Sequence, residues 1–190
     1  MKSLTTRQIA ISGALAALSA TVQIIHIGYL SPTWGMWIDI VSVTWVIAYL
    51  LFGFRSSILV SLAGSLIITL FAPETWLGAS MKFVATIPII LALFGWVKLR
   101  RQRFDWYIKP IRLALPVLIG MIIRCAIVLP LNYYYAIPIW TGMTTTAALR
   151  AIPWFIIVLF NVIQTIVDVT LAWIVVYKFR LSRFSQGETT

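Results

Sequence analysis

The chain of 190 residues is short of nearly everything that equips a soluble enzyme: 11% of its residues are charged, five are acidic, and it has one histidine and one cysteine. A soluble domain carries about a quarter charged residues, so an ordinary cytosolic protein is excluded. The lone His26, with no HExxH and no Cys/His ligand spacing, excludes a zinc or other metal site of the usual kinds. Neither GxxxxGK[ST] nor GxSxG occurs, so the chain has no motif for holding ATP phosphates and no hydrolase elbow. Cys125 has no partner for an intrachain disulfide. Carboxylates suited to acid–base work would have to lie close together, whereas Asp39 and Asp168 differ in expected depth by about 9 Å along their helices. The chain reads as a non-enzyme without cofactor or metal.

What it has in abundance is apolar surface, 61% of all residues. At about 20 residues per spanning helix, this length holds roughly six spans and no separate soluble domain, so residues 1–190 read as a single membrane domain. The runs predict spans at about 9–27, 38–54, 56–72, 77–97, 113–132 and 153–177. Loops are expected at Gly28 to Gly35 and Ala136 to Ala148, and the tail from Ser185 to Thr190 is polar. Net charge is +10, but the basic residues punctuate apolar runs instead of forming a nucleic-acid footprint. With the N-terminus inside, Lys2, Arg7, Arg55, Lys98, Arg100, Arg101, Arg103, Lys109, Arg112, Lys178, Arg180 and Arg183 all fall on the cytoplasmic face, and only Arg150 falls outside. An all-α integral membrane protein of six transmembrane helices, with both termini cytoplasmic, satisfies that asymmetry. Trp34, Trp37, Trp76, Trp140 and Trp154 near the outer ends and Trp96, Trp106 and Trp173 near the inner ends fit two aromatic belts.

Polar side chains inside such spans are costly, so their depths are informative. At about 1.5 Å per residue, Asp39 counted from Arg55 and Lys82 counted from Lys98 both come to about 24 Å above the cytoplasmic face. Gln23, His26, Asn132, Asn161 and Gln164 come to between about 21 and 30 Å, giving one outer layer to which five helices contribute. Asn161, Gln164 and Asp168 share one helix face, which must turn away from lipid. The pattern predicts a polar cavity open to the outside, with Asp39, Lys82, Asn132, Asn161 and Gln164 as ligand-binding residues. Arg124 and Asp168 come to about 18 and 15 Å and read as a structural ion pair. The run Tyr133, Tyr134, Tyr135 reads as belt. On the first helix Ala10, Ala14 and Ala17, with Gly13 and Ala20 beside them, form a low-relief face that another helix can approach closely. Small residues alone do not choose between an internal and an external neighbour.

The segment from Asp39 to Gly53, DIVSVTWVIAYLLFG, resembles the second helix of the substrate-binding (S) components of energy-coupling factor vitamin transporters, especially the riboflavin group. Gly78 to Ala85 resembles that group's fourth helix, Asn132 to Pro138 its Asn-aromatic-Pro segment, and Phe160 to Gln164 its ligand-facing sixth helix. The resemblance implies a six-helix component that binds a vitamin from outside and docks on a membrane-embedded coupling subunit joined to two ATPase subunits. It assigns the face of Ala10, Ala14 and Ala17 to that coupling subunit, and Asn132 and Asn161 to the flavin ring, whose uracil-like edge suits an amide's donors and acceptor. It implies a prokaryotic cell membrane location. The sequence departs from the group at Gln164, commonly Lys, at Ser42, usually a second Asp, at Thr44, which replaces Pro, and at Lys82, which replaces an amide-type residue. A Lys82 left unneutralised by Asp39 would favour an anionic vitamin or a flavin phosphate. The alternative of another class is a self-contained small facilitator.

Overall fold

The computed structural model describes residues 4–23, 26–30, 35–70 and 75–184. Helix α1 (Thr6–Val22) starts at a capping box in which Thr5 accepts from the Gln8 N–H and Gln8 returns the bond to the Thr5 N–H. Two strands follow, β1 (His26–Leu30) and β2 (Gly35–Asp39), paired antiparallel with His26 opposite Asp39 and Leu30 opposite Gly35. Helix α2 (Val41–Phe52) opens where the Asp39 carboxylate accepts the Val41 N–H at 2.9 Å. It closes at Gly53, whose φ of 86° lets the chain reverse in one residue into α3 (Phe54–Thr69). After α4 (Thr75–Leu99) come two 3₁₀ turns, Phe104–Ile108 and Pro110–Leu113, then α5 (Ala114–Leu131), α6 (Ile137–Thr141), α7 (Thr145–Ala151) and α8 (Trp154–Trp173).

Among the described residues, three helical stretches are long and apolar enough to cross a membrane, Trp76–Leu99, Pro110–Thr141 and Trp154–Lys178; Val41–Phe52 and Phe54–Thr69 are shorter apolar helices. Every residue of α2 from Val41 to Leu51 is buried, because α2 is packed by α1, α3, α4 and α8. A helix apolar all round belongs at such a centre. Where lipid is the solvent, close packing and interhelical hydrogen bonds carry association. Here Thr44 shares a hydrogen bond with Ser19 of α1 at 2.6 Å, and Ser42 one with Thr86 of α4 at 2.8 Å. At the basic end, the Tyr107 hydroxyl donates to the Leu93 carbonyl at 2.7 Å, and Trp173 donates to the Tyr107 carbonyl at 3.1 Å. Burial raises the Tyr107 hydroxyl above its usual pKa, and Tyr177 adds to the shift, so it stays a donor.

The structure corrects three expectations. The helix expected over 9–27 ends at Val22, and the expected loop at Gly28 to Gly35, with the first residues of the expected second span, forms the β1–β2 hairpin, so the fold is helical with one two-stranded ribbon. Gly28 and the aromatic and β-branched residues around it favour extended backbone over a continued helix. The fifth helix does not stop at Asn132. A π turn over Asn132–Ala136, in which the Ile137 N–H reaches back to the Asn132 carbonyl, carries it on to Thr141. Pro130 and Pro138 each remove one ordinary helical donor, and the wider turn lies between them. The expected loop Ala136 to Ala148 is accordingly mostly helix. The expected polar tail lies outside the described residues.

At Gly120, α5 approaches α4 closely: a Cβ there would sit 2.9 Å from the Ile89 Cα. Gly120→Leu is expected to push the two helices apart and destabilise the protein by about 1–3 kcal/mol. Gly13→Leu, where a Cβ meets nothing within 4 Å, should be neutral. Thermal unfolding of the two variants in detergent checks the contrast.

Candidate ligand site

Residues from β2, α4, α5 and α8, with Gln23 at the end of α1, converge on one hydrogen-bonded network. Lys82 of α4 pairs with the Asp39 carboxylate and donates to the Gln23 side-chain Oε1 at 3.0 Å. The Gln164 side chain of α8 behaves as a short strand partner for Asp39: its Oε1 accepts the Asp39 N–H at 3.1 Å and its Nε2 donates to the Asp39 carbonyl at 2.7 Å. The same Nε2 donates to the Asp168 Oδ1 at 2.7 Å, one helical turn further along. On α5, the Arg124 Nε donates to the Asn161 Oδ1 at 2.9 Å, and its Nη1 lies 3.5 Å from the Asp168 Oδ2. Asp39, Arg124, Asn161, Gln164 and Asp168 are all buried.

The network has apolar residues on both sides. Along α8, Ile157 precedes it and belongs to a cluster with Tyr133, Ile137, Ala148 and Ile152, against which Met36 of β2 and Leu129 pack. Beyond it, Val169, Ala172 and Val176 join the main core around Trp45, Tyr49 and Leu93. The site is therefore a polar layer on α8 with an apolar seal toward the basic end of the bundle.

Asp39, Lys82, Asn161 and Gln164 come together as the sequence places them, and Arg124 with Asp168, expected as a separate pair nearer the midplane, joins the same network through Asn161 and Gln164. Asn132 stands apart: it is buried at the start of the π turn, and its amide donates to the Val128 carbonyl of its own helix at 2.9 Å. Tyr133 is a buried structural residue whose hydroxyl donates to the Ile152 carbonyl at 2.7 Å, whereas Tyr134 is 70% exposed. Gln23 had the right depth but carried no separate signal for its bond to Lys82. The side chain of His26 lies outside the described residues. On α1, Ser12, Ala16, Ser19 and Ala20 are buried while Ala10, Gly13, Ala14 and Ala17 are exposed, so the low-relief face has no neighbour among the described residues.

No family model and no curated protein matches the chain. Among solved structures it is similar to one described as "Structure and mechanism of the S component of a bacterial ECF transporter", with a TM-score of 0.70 and 24% identity over 95% of this chain and 98% of that one. The likeness runs end to end and establishes the fold.

Because both edges of the Gln164 amide are used, Gln164→Leu should free β2 from α8. Hydrogen exchange at the Asp39 amide is expected to accelerate about 10-fold or more, in line with about 1–3 kcal/mol for unpaired buried groups. An unchanged rate would mean that the hairpin is held by other contacts.

Proposed function

We propose that the chain is the vitamin-binding S component of an energy-coupling factor importer in a prokaryotic cell membrane. It spans the bilayer six times with both termini in the cytoplasm, captures riboflavin or a related flavin from outside, and hands it to a membrane coupling subunit driven by two ATPase subunits. The observation that carries this reading is the polar network of Asp39, Lys82, Asn161 and Gln164, seated on a fold shared along its whole length with an S component. The charge asymmetry of the loops supports the orientation, with the network toward the outside. The resemblance matches Asn132 and Asn161 to a flavin's heterocyclic edge, which would compete with the bonds that these amides make to Arg124 and to the Val128 and Ile157 carbonyls.

The exposed face of Ala10, Gly13, Ala14 and Ala17 supports docking on another membrane helix, since its small residues are not consumed by packing within the chain. A self-contained facilitator is disfavoured by the region beyond Asp168, which among the described residues is filled by the packed core of Leu50, Leu93, Val97, Val169, Ala172 and Val176.

Titration of the purified protein into riboflavin should quench the flavin's fluorescence with one-to-one stoichiometry, and an absence of quenching would remove the flavin. Recovery of the tagged chain from its own membranes should bring down a coupling subunit with an ATPase pair. Ala14→Trp should abolish that recovery while leaving ligand binding intact; recovery undiminished by the tryptophan would place the docking surface elsewhere.

A further inference from the structure

Arg124 and Asp168 form an ion pair through one long contact of 3.5 Å. Arg124 is 5% exposed and Asp168 1% exposed. Such buried ionic groups ordinarily have their polar atoms satisfied, and an arginine facing a carboxylate ordinarily does so through two short parallel bonds. Here one side of each group is fixed by an amide: Asn161 takes the Arg124 Nε–H, and Gln164 donates to the Asp168 Oδ1. Arg124 Nη1 and Asp168 Oδ2 face each other at 3.5 Å, and neither closes a hydrogen bond among the described residues. A donor and an acceptor thus stand opposite each other, too far apart for a short bond, beneath the residues proposed to bind the ligand.

We propose that this open pair is a subsite that reads an uncharged group presenting an acceptor and a donor side by side, either a hydroxyl or the N–H/C=O edge of a cyclic amide. A hydroxyl satisfies both atoms at once, accepting from Nη1 and donating to Oδ2. A cyclic amide does the same with its carbonyl on Nη1 and its N–H on Oδ2. A carboxylate or phosphate satisfies Nη1 only, and turns its remaining negative oxygens toward Oδ2. The rest of the network offers it no free charge, because Lys82 is engaged by Asp39 and Gln23. Arg124 and Asp168 are then specificity-determining residues, and the amides of Asn161 and Gln164 position them. This inference rests on the outward-facing ligand site proposed above and adds the chemistry that the site selects.

The test uses the full-length protein in detergent. Riboflavin is compared with its N3-methyl derivative, which lacks the ring N–H, and with lumiflavin, which lacks the chain hydroxyls. One of the two should bind at least about 100-fold more weakly than riboflavin, since a site built to pair a polar group rejects the analogue without it. Equal binding of all three overturns the proposal while leaving the flavin reading standing. Arg124→Lys and Asp168→Asn should each lose riboflavin affinity when measured at a temperature where the variant is folded; a lowered unfolding temperature with unchanged affinity would make the pair structural. Should both variants fail to fold, the analogue comparison on the wild type decides. Should riboflavin not bind at all, the flavin reading falls, and mass spectrometry of small molecules co-purified with the wild type decides the subsite. An uncharged hydroxyl- or amide-bearing compound supports it; an anionic compound, or none, overturns it.

Discussion

Two hydrogen bonds from one side-chain amide hold the architecture to its site: Gln164 pairs with both the N–H and the carbonyl of Asp39. Asp39 is at once the last residue of β2, the acceptor that starts α2, and the counter-charge of Lys82. Fixing its backbone to α8 therefore fixes the hairpin, the central helix and α4 relative to one another. The constraint behind this is the solvent. At a depth where lipid offers no hydrogen bonds, a carboxylate, a lysine and an arginine persist only by satisfying one another, and the amides of Gln23, Asn161 and Gln164 are the joints that let them do so.

The same constraint explains the division of the molecule. The core around Trp45, Tyr49 and Leu93 is continuous and apolar, and it closes the side rich in arginine and lysine. The smaller cluster of Tyr133, Ile137, Ala148, Ile152 and Ile157 caps the other side, built from a helix kept going by a π turn. A polar layer between a large seal and a small cap fits the proposed capture of a ligand from one face. That asymmetry suits a component that captures and relies on partners for transfer better than it suits a pore.

Much of this could be read from the residues. Asp39 and Lys82 fall at equal counted depth, and they pair. The expected spans 38–54 and 56–72 leave only Arg55 between them, and Gly53 makes the reversal in a single residue. The shared face of Asn161, Gln164 and Asp168 followed from helical spacing. Counting depth along an axis misled where side chains are long: Arg124 and Asp168 start below the outer layer, yet they reach Asn161 and Gln164 and join it. The hairpin was hidden because its apolar residues continue the run of the first helix, and backbone pairing leaves little mark on so short a stretch. The fifth apolar run is expected to end near Asn132, but a change of turn width accommodates Pro130 and Pro138 and the helix continues. The exposure of Ala10, Ala14 and Ala17 was undecidable from composition, because a small face looks the same whether it packs inward or waits for a partner.

The account stands on the polar layer being a ligand site that opens outward. An experimental structure of the protein purified from its own membrane with whatever small molecule it retains tests this most directly. The account predicts a single ring-bearing molecule in hydrogen-bond contact with Gln164 and Asn161, beneath the β1–β2 hairpin. A molecule bound on the arginine-rich side, or a network whose amides and charges turn toward lipid with nothing bound, would contradict it.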